Sequence, residues 1–478
     1  MTKPAIKLFV GSRLNTLRQQ SGLTQAVLAQ KLGISASYLN QIERDQRPLP
    51  DRLLEEVCRV FSVNPAYFSD VEEVRLVQAL REILADPLFD AARPNFTEML
   101  SAAQKAPALG HAVMQLYSAY RNAQEHAASL ADMPTQPVLE PYEAVGDWVQ
   151  TNHNYFHALD SAAEALYAKL SPKEGWLHPA LIQYVQNEHN LKIVTDHALE
   201  QRGVRWKLEQ KSHTLFLSQD VLAEDSLFCL AQVVGQLEQG AVMDRILRRS
   251  GPKGENARAL ARLYLGNYFA GALLLPYELY RNAALEMQHD IDRLHRRFGV
   301  SFEQACHRLS TFQRPGSEGI PFYFMKLDIA GNILKSFSAN HFMQSRFGGP
   351  CPLWNIFRAF TTPGQVQVQL SRMTDDVVYL NVARTVRHSS MSYFDRPRQV
   401  AVVLGCDIRH AGRMIYAAGL DVADQRNAVP IGPGCRACSR DDCRHRSLPV
   451  SGRGIDAGSE ERGVVPYRAA RGTYNQAI

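Results

Sequence analysis

Three thiols crowd into the nine residues Cys435-Arg-Ala-Cys-Ser-Arg-Asp-Asp-Cys443, in Cys-x2-Cys-x4-Cys order within a Gly- and Pro-flanked loop. Thiolates so spaced can converge on one metal ion or one small inorganic cluster, and either needs a fourth ligand. Cys351 is the first choice because Pro350 and Pro352 restrict its backbone; Cys406 is the second and His445 the third. Zinc prefers paired Cys-x2-Cys units. One compact trio with a remote cysteine instead favours a four-iron four-sulfur (4Fe-4S) cluster on Cys351, Cys435, Cys438 and Cys443, with zinc as the alternative. Arg436, Arg440, Arg444 and Arg446 surround the trio and match thiolate charge. Cys58, Cys229 and Cys306 stand alone among apolar helical residues and read as core. Eight cysteines in 478 residues without a secretion signal argue against a disulfide framework and for buried thiols or metal ligands, and the lack of a signal pattern reads as a cytoplasmic protein.

A second chemistry lies near the N-terminus. Residues 1–47 carry seven Lys/Arg against two acidic residues, whereas the whole chain is only +5. In Leu23-Thr-Gln-Ala-Val-Leu-Ala-Gln-Lys-Leu-Gly-Ile-Ser, Thr24 can cap a first helix, Gly33 supply a tight turn and Ser35 cap a second. With Leu39 and Ile42 facing a core, Ser35, Ser37, Tyr38 and Gln41 point outward to base edges in a major groove. Gln25, Arg44 and Arg47, with Arg13 nearby, suit phosphate contacts. This stretch, with its ending Ile42-Glu-Arg-Asp-Gln-Arg-Pro48, resembles the phage-repressor-like (XRE) helix-turn-helix family. The resemblance implies double-stranded operator DNA as partner and a homo-oligomer, a dimer, because one small module offers too few contacts alone.

These groups need scaffolds. At roughly 100–200 residues per domain, a 478-residue chain predicts about three domains. A hydrophobic content of 45% with 21% charged residues excludes a wholly disordered, collagenous or coiled-coil protein. The longest apolar run, Phe269–Pro276, is too short to span a membrane. Apolar residues fall in short helical bursts through residues 6–70 and helical spacing continues through a connector, 71–140, that ends in the Pro-containing linker Met133–Pro141. Residues 141–310 read as mostly helical, with a short hairpin at Gly203–Leu217. Residues 311–450 are rich in β runs bounded by Gly, Asp and Asn, which predicts an antiparallel sheet domain. Residues 451–478 lack apolar periodicity and read as a disordered tail. The fold class expected is therefore multidomain, α then α+β.

Two further resemblances bear on function. Leu227-Phe-Cys-Leu-Ala-Gln-Val-Val-Gly-Gln and Asn267-Tyr-Phe-Ala-Gly-Ala-Leu-Leu-Leu-Pro resemble ImmA/IrrE-like peptidases, whose zinc helix carries HExxH. Here Gln232 and Gln236 take the histidine positions and Val233 the glutamate position, so an inactive metallopeptidase-like domain is expected. The chain from residue 6 to 450 resembles the short-chain fatty acyl-CoA regulators of bacterial propionate and acetate metabolism. The runs that carry this are Gly11 to Pro48, Tyr268 to Tyr277, Ser301-Phe-Glu-Gln-Ala-Cys-His-Arg-Leu-Ser-Thr-Phe-Gln-Arg-Pro-Gly316, Gly348-Gly-Pro-Cys-Pro-Leu-Trp354 and the cysteine cluster. That resemblance implies acyl-CoA as effector, a GAF/PAS-like C-terminal sensor domain and iron–sulfur at the cysteines. Lys207, Arg308 and Arg314 for the phosphates and Tyr268 for adenine are the chemical candidates for the pocket. The expected protein is thus a non-enzymatic, acyl-CoA-sensing transcription factor. The alternatives are a redox-responsive iron–sulfur transcription factor without acyl-CoA control, and a zinc peptidase acting on a repressor.

Overall fold

The computed structural model describes residues 11–61 apart from 22, 45 and 48, then 71–84, 86, 88–89, 94, 98–99, 102–103, 106–129, 141–170, 177–219, 223–340, 342, 349–386, 398–450, 455–458 and 463–469. The chain divides into two compact units, Met1–Met133 and Pro134–Ile478. The division falls at the start of the expected linker, whose residues 133–140 lie outside the described ones.

In the first unit the sequence signals act locally. Helices α1 (Gly11–Gln20), α2 (Gln25–Lys31), α3 (Ala36–Glu43) and α4 (Asp51–Phe61) close a small bundle. The Thr24 hydroxyl accepts the Val27 N–H at 3.3 Å and the Ser35 hydroxyl the Tyr38 N–H at 3.1 Å, so both helices start where capping predicts. Gly33 sits at φ 65°, the left-handed conformation that lets the chain turn sharply between α2 and α3. Leu14, Leu28, Leu39 and Ile42 are fully buried; each contributes about 1.5–3 kcal/mol relative to exposure. Beyond the bundle, α5 (Val71–Ile83) lies against α6 (Pro107–Ser129), with Leu76 packed on Gly110.

The second unit begins with α7 (Pro141–Thr151), α8 (His157–Leu170) and α9 (Leu177–His189). Next come β1 (Lys192–Asp196), α10 (His197–Gln201), β2 (Trp206–Glu209) and β3 (Thr214–Ser218), in sheet order β1-β3-β2. The expected hairpin is β2–β3; β1, parallel to β3, has no counterpart in the sequence reading. Six helices follow: α11 (Ala223–Glu238), α12 (Gly240–Ser250), α13 (Glu255–Leu274), α14 (Tyr277–Glu286), α15 (Ile291–Phe298) and α16 (Phe302–Leu309). The large sheet is built from β4 (Tyr323–Asp328), β5 (Ile333–Ser338), β6 (Gln367–Arg372), β7 (Val378–Val386), β8 (Val400–Asp407) and β9 (Val429–Pro430), in order β5-β4-β8-β7-β6-β9.

Two expectations change here, for the sheet and for the tail, and the boundary at residue 310 runs through a shared core. The sheet is mixed rather than antiparallel, because the long connection after β8 returns β9 parallel to β6. No break in the core separates residues 141–310 from 311–450. Phe322, Phe324, Leu380, Val402 and Leu404 from one sheet face join the same apolar cluster as Leu230, Leu265 and Phe269 of the helices. The alternate positions Tyr323, Met325, Tyr379 and Val403 face the other way, onto Trp354 and Cys351 beside the short α17 (Asn355–Arg358). Finally, within the segment read as a tail, Ile455–Asp456 pairs antiparallel with Arg468–Ala469, giving it a short ladder of its own. Residues 451–454 and 471–478 lie outside the described ones.

Candidate functional site

The first unit gathers most of the DNA-reading candidates on α3, its two caps and the turn after it, with Gln25 at the start of α2. Ser35, Ser37, Arg44 and Arg47 are exposed, and Tyr38 and Gln41 are half-buried. Tyr38 leans on the bundle while the Arg47 guanidinium lies 5.7 Å from its ring centroid. Gln25 departs from the expected role: its side-chain amide donates to Glu43 at 2.6 Å rather than standing free for phosphate. Glu43 is buried and also receives Arg18 through two hydrogen bonds of 2.6 and 3.1 Å, so α1, α2 and α3 are fastened at one carboxylate. The Arg13 side chain lies outside the described residues.

In the second unit, α11, α13, α16, β4, β5 and β7 enclose a cavity of about 260 Å³ that opens to solvent. Tyr268 and Arg308 line it, but their donors already have partners. Wholly buried Asp160 accepts the Tyr268 hydroxyl at 2.6 Å and the Arg308 guanidinium at 2.6 and 3.3 Å; Arg308 also donates to the Leu275 carbonyl at 2.8 Å. Burial works against the Arg308 charge, and Asp160 outweighs it, holding the guanidinium above its ordinary range.

The sheet contributes what the helices do not. Lys326 and Lys335 stand directly opposite each other across β4 and β5, an arrangement of like charges that is destabilising unless something answers it. Glu303 answers Lys326 at 2.7 Å. Lys335 has no ion pair or hydrogen bond among the described residues; it lies 4.9 Å from the Tyr264 ring centroid, and burial pushes its ammonium down to about 8. Beside it, the Nε2 of His307 is buried without a partner among the described residues, and burial keeps this imidazole well below its usual range.

Arg314 and Lys207 do not line this cavity. Arg314 donates to the Tyr155 hydroxyl at 2.9 Å and to Glu164 at 2.6 Å, with its guanidinium 4.1 Å from the Tyr277 ring centroid; Lys207 is exposed and pairs with Glu209 at 3.4 Å. The four pocket candidates are therefore split between two engaged wall residues and two outside residues. A buried cation must be neutralised in place, and the carboxylates that do so lie 148 and 150 residues away along the chain. The lysine pair was missed. Counting outward from the turn Asp328-Ile-Ala-Gly-Asn332 pairs Leu327 with Ile333 and would pair Lys326 with Leu334; a register shift between Lys326 and Leu327 brings Lys335 opposite Lys326 instead.

The cavity's far wall is the helix that resembles a zinc helix. Gln232 accepts the Trp206 indole N–H at 3.1 Å and donates to Asn267, Val233 is fully buried, and Gln236 is exposed. These residues do not fit zinc: the amide is occupied, and no group at Val233 can take a proton from water.

On the opposite face of the sheet, Cys351, Cys435, Cys438 and Cys443 line one small cavity together with His445, Arg440 and Arg446. Cys406 is elsewhere: it is fully buried on the helical face, its Sγ 3.4 Å from the Met414 sulfur. Backbone N–H groups of Gly432 and Leu353 face the Cys351 sulfur; burial raises that thiol's pKa and the two N–H groups oppose the rise. The Ser447 N–H donates to the Cys435 sulfur at 3.4 Å. A Cβ at Gly432 would stand 2.6 Å from the Cys438 sulfur, so only glycine allows this approach. Arg446 is buried and donates to the carbonyls of Cys435 at 2.8 Å and Cys438 at 3.2 Å, while Arg440 donates to those of Ile431, Arg372 and Met373. Among the described residues neither guanidinium meets a carboxylate, and no three His, Cys, Asp or Glu donors converge at the spacing of a single metal ion's ligands.

A helix-turn-helix unit followed by an IrrE-like domain and a mixed sheet defines a modular transcriptional regulator. Family models match accordingly: helix-turn-helix over residues 14–68, IrrE N-terminal-like domain over 186–310, and short-chain fatty acyl coenzyme A regulator, C-terminal, over 311–467. The chain is 38% identical over 471 residues to the HTH-type transcriptional regulator RamB of Mycobacterium tuberculosis, covering 96% of this chain and 98% of that one. It is 38% identical over 467 residues to the propionyl-CoA carboxylase regulator of Cereibacter sphaeroides, covering 97% and 99%. A solved Mycobacterium tuberculosis transcriptional regulator matches with a TM-score of 0.65 and 37% identity, over 68% of this chain and 99% of that one. The chain belongs to the short-chain fatty acyl-CoA regulator family. No helix among the described residues is long and apolar enough to cross a membrane.

Proposed function

We propose that this protein is a dimeric, cytoplasmic transcription factor without enzymatic activity, whose operator affinity is set by a short-chain acyl-CoA bound in the cavity between the helices and the sheet. The observation that carries the reading is Lys335, a part-buried ammonium with no ion pair among the described residues, directly opposite a second lysine on a cavity wall, where the nearby carboxylate of Glu303 is already paired with Lys326. Such a group fits a phosphate of coenzyme A, and Phe228 and Val386 offer apolar surface for a short acyl end. Asp160, Tyr268 and Arg308 hold the wall rather than the ligand. A ligand here controls DNA only by binding two protein states unequally. Calorimetry with propionyl-CoA, acetyl-CoA and free coenzyme A, on the full chain and on Lys335→Met, tests this. Unchanged affinity in the variant would remove the cavity from the reading.

The same unit supports a second component. We read the sheet domain as a GAF/PAS-like sensor that carries a 4Fe-4S cluster on Cys351, Cys435, Cys438 and Cys443. What supports this component is that the four thiols line one small cavity, as the ligands of a single cluster must. N–H groups aimed at two of the sulfurs and the buried Arg446 suit anionic thiolates. Bound there, the cluster would supply one-electron redox chemistry. Protein purified without oxygen should be brown; colourless anaerobic protein with stoichiometric zinc would overturn this component.

A further inference from the structure

Helix α12 and the turn after it present an unneutralised basic corner. Met243 and Leu247 bury the inner face of the helix, while Arg245, Arg248 and Arg249, at positions i, i+3 and i+4, project together on the exposed face, and Lys253 is exposed in the following turn. None of these four cations has an ion pair or hydrogen bond among the described residues. Exposed cations elsewhere differ: Arg59 meets Glu56, Lys169 meets Glu188 and Lys207 meets Glu209, whereas Lys31, Arg202 and Arg358 have no ion pair among the described residues; in this corner four such cations fall together. The corner is held firmly from within. Arg262 of α13 pairs with Asp244, which withdraws the one acidic residue of α12, and Arg258 donates to the Pro252 carbonyl at 3.3 Å. Cations in the last turn also complement the helix dipole, which accounts for Arg248 and Arg249 but not for Arg245 or Lys253.

We infer that this corner is a second DNA-contacting surface, binding the phosphate backbone of duplex beyond the segment read by α3. The inference rests on the DNA-binding reading of the first unit. A protein partner would require an apolar centre, and no large apolar side chain of α12 is exposed. A duplex requires none: it offers a phosphate charge about every 1.7 Å of axis, so a rigid row of guanidinium groups finds partners in any register without base contacts. Tethering to a unit that already holds DNA raises the effective concentration of such a weak site.

The test compares two duplexes with the full chain: the minimal footprinted operator, and the same operator extended by about 20 base pairs of arbitrary sequence on each side, about two turns at 10–10.5 base pairs per turn. Arg245→Gln/Arg248→Gln/Arg249→Gln should leave binding to the minimal duplex unchanged and weaken binding to the extended one at least tenfold. It should lower the slope of log affinity against log salt on the extended duplex by about 3, about 0.9 per lost phosphate contact. The triple Lys variant, which keeps the charge, should bind both like the parent, and unchanged thermal unfolding confirms that the Gln variant is folded. Equal affinity and slope on both duplexes would overturn the inference. So would a variant with unchanged DNA binding but altered output in transcription with purified RNA polymerase, because the corner would then serve an acidic protein. Loss of minimal-duplex binding by the parent chain would instead fault the reading of the first unit.

Discussion

The two faces of the six-stranded sheet treat charge in opposite ways. On the helical face the guanidinium of Arg308 is neutralised by a wholly buried carboxylate, and one ammonium, Lys335, is left over beside a cavity. On the other face four thiols share a cavity whose nearby guanidiniums, Arg440 and Arg446, hold backbone carbonyls instead of carboxylates. The first face is a wall whose buried guanidinium is paired, with Lys335 the cation that has no ion pair among the described residues. The second is a loop held by backbone hydrogen bonds from Arg440 and Arg446, with four thiols at one small cavity. A buried ion pair gives rigidity and little regulation; a loop closed on its thiols can report their oxidation state.

Breaking the ion-paired wall should have the largest effect. Asp160→Ala leaves Arg308 buried and uncompensated and removes the Tyr268 acceptor, so the second unit should lose about 3–5 kcal/mol in urea or thermal unfolding. A loss under 1 kcal/mol would mean that water reaches Arg308 and the contrast between the faces is false. Next comes the cysteine face. Gly432→Ala forces a Cβ against Cys438, and Ser at Cys351, Cys435, Cys438 or Cys443 removes one of the proposed ligands; on that proposal each should deplete bound iron at least tenfold and expose residues 434–446 to protease, while Cys306→Ser leaves iron content alone. Iron retained in all four Ser variants would move the site.

The lysine gives a smaller, pH-dependent effect. Lys335→Met should weaken acyl-CoA binding by about 1.5–3 kcal/mol, the range for hydrogen bonds to charged groups. In the unliganded protein this ammonium is pushed down to about 8 by burial, below its unfolded value, and an anionic ligand favours the charged form. Affinity should therefore hold up to about pH 8 and decline above it as the free protein loses the proton. A titration of affinity from pH 7 to 10 checks this, and the decline should vanish in Lys335→Met. The smallest effect lies in the first unit. Gln41→Ala should cost about 1 kcal/mol of discrimination between operator and random duplex, whereas Arg47→Ala should weaken both alike and flatten the salt dependence. Equal loss of discrimination in the two variants would reverse their assigned roles.

How far the sequence could be read followed the distance over which each cause acts. Caps at Thr24 and Ser35, the turn at Gly33 and the hairpin at β2–β3 depend on residues three to eleven apart, and each was legible. The trio of cysteines was legible for the same reason, and Pro350 and Pro352 directed attention to Cys351, which the fold brings to the same cavity. Gln25 shows where short-range reading fails: its role depended on Glu43, 18 residues on, which draws the amide inward.

By itself the sequence determined the helix-turn-helix grammar, the absence of HExxH from Gln232–Gln236, the cysteine spacing and the order of the α and β modules. Tertiary structure alone decided that the middle helices and the sheet share one core, that Arg308 and Arg314 are neutralised internally by Asp160 and Glu164, and that Lys335 is the cation left facing the cavity. The physical reason is that a charge acquires its role from its partner. Caps, turns and ligand loops find their partners within a few residues, whereas a buried cation finds its carboxylate only after about 150 residues of chain have folded between them.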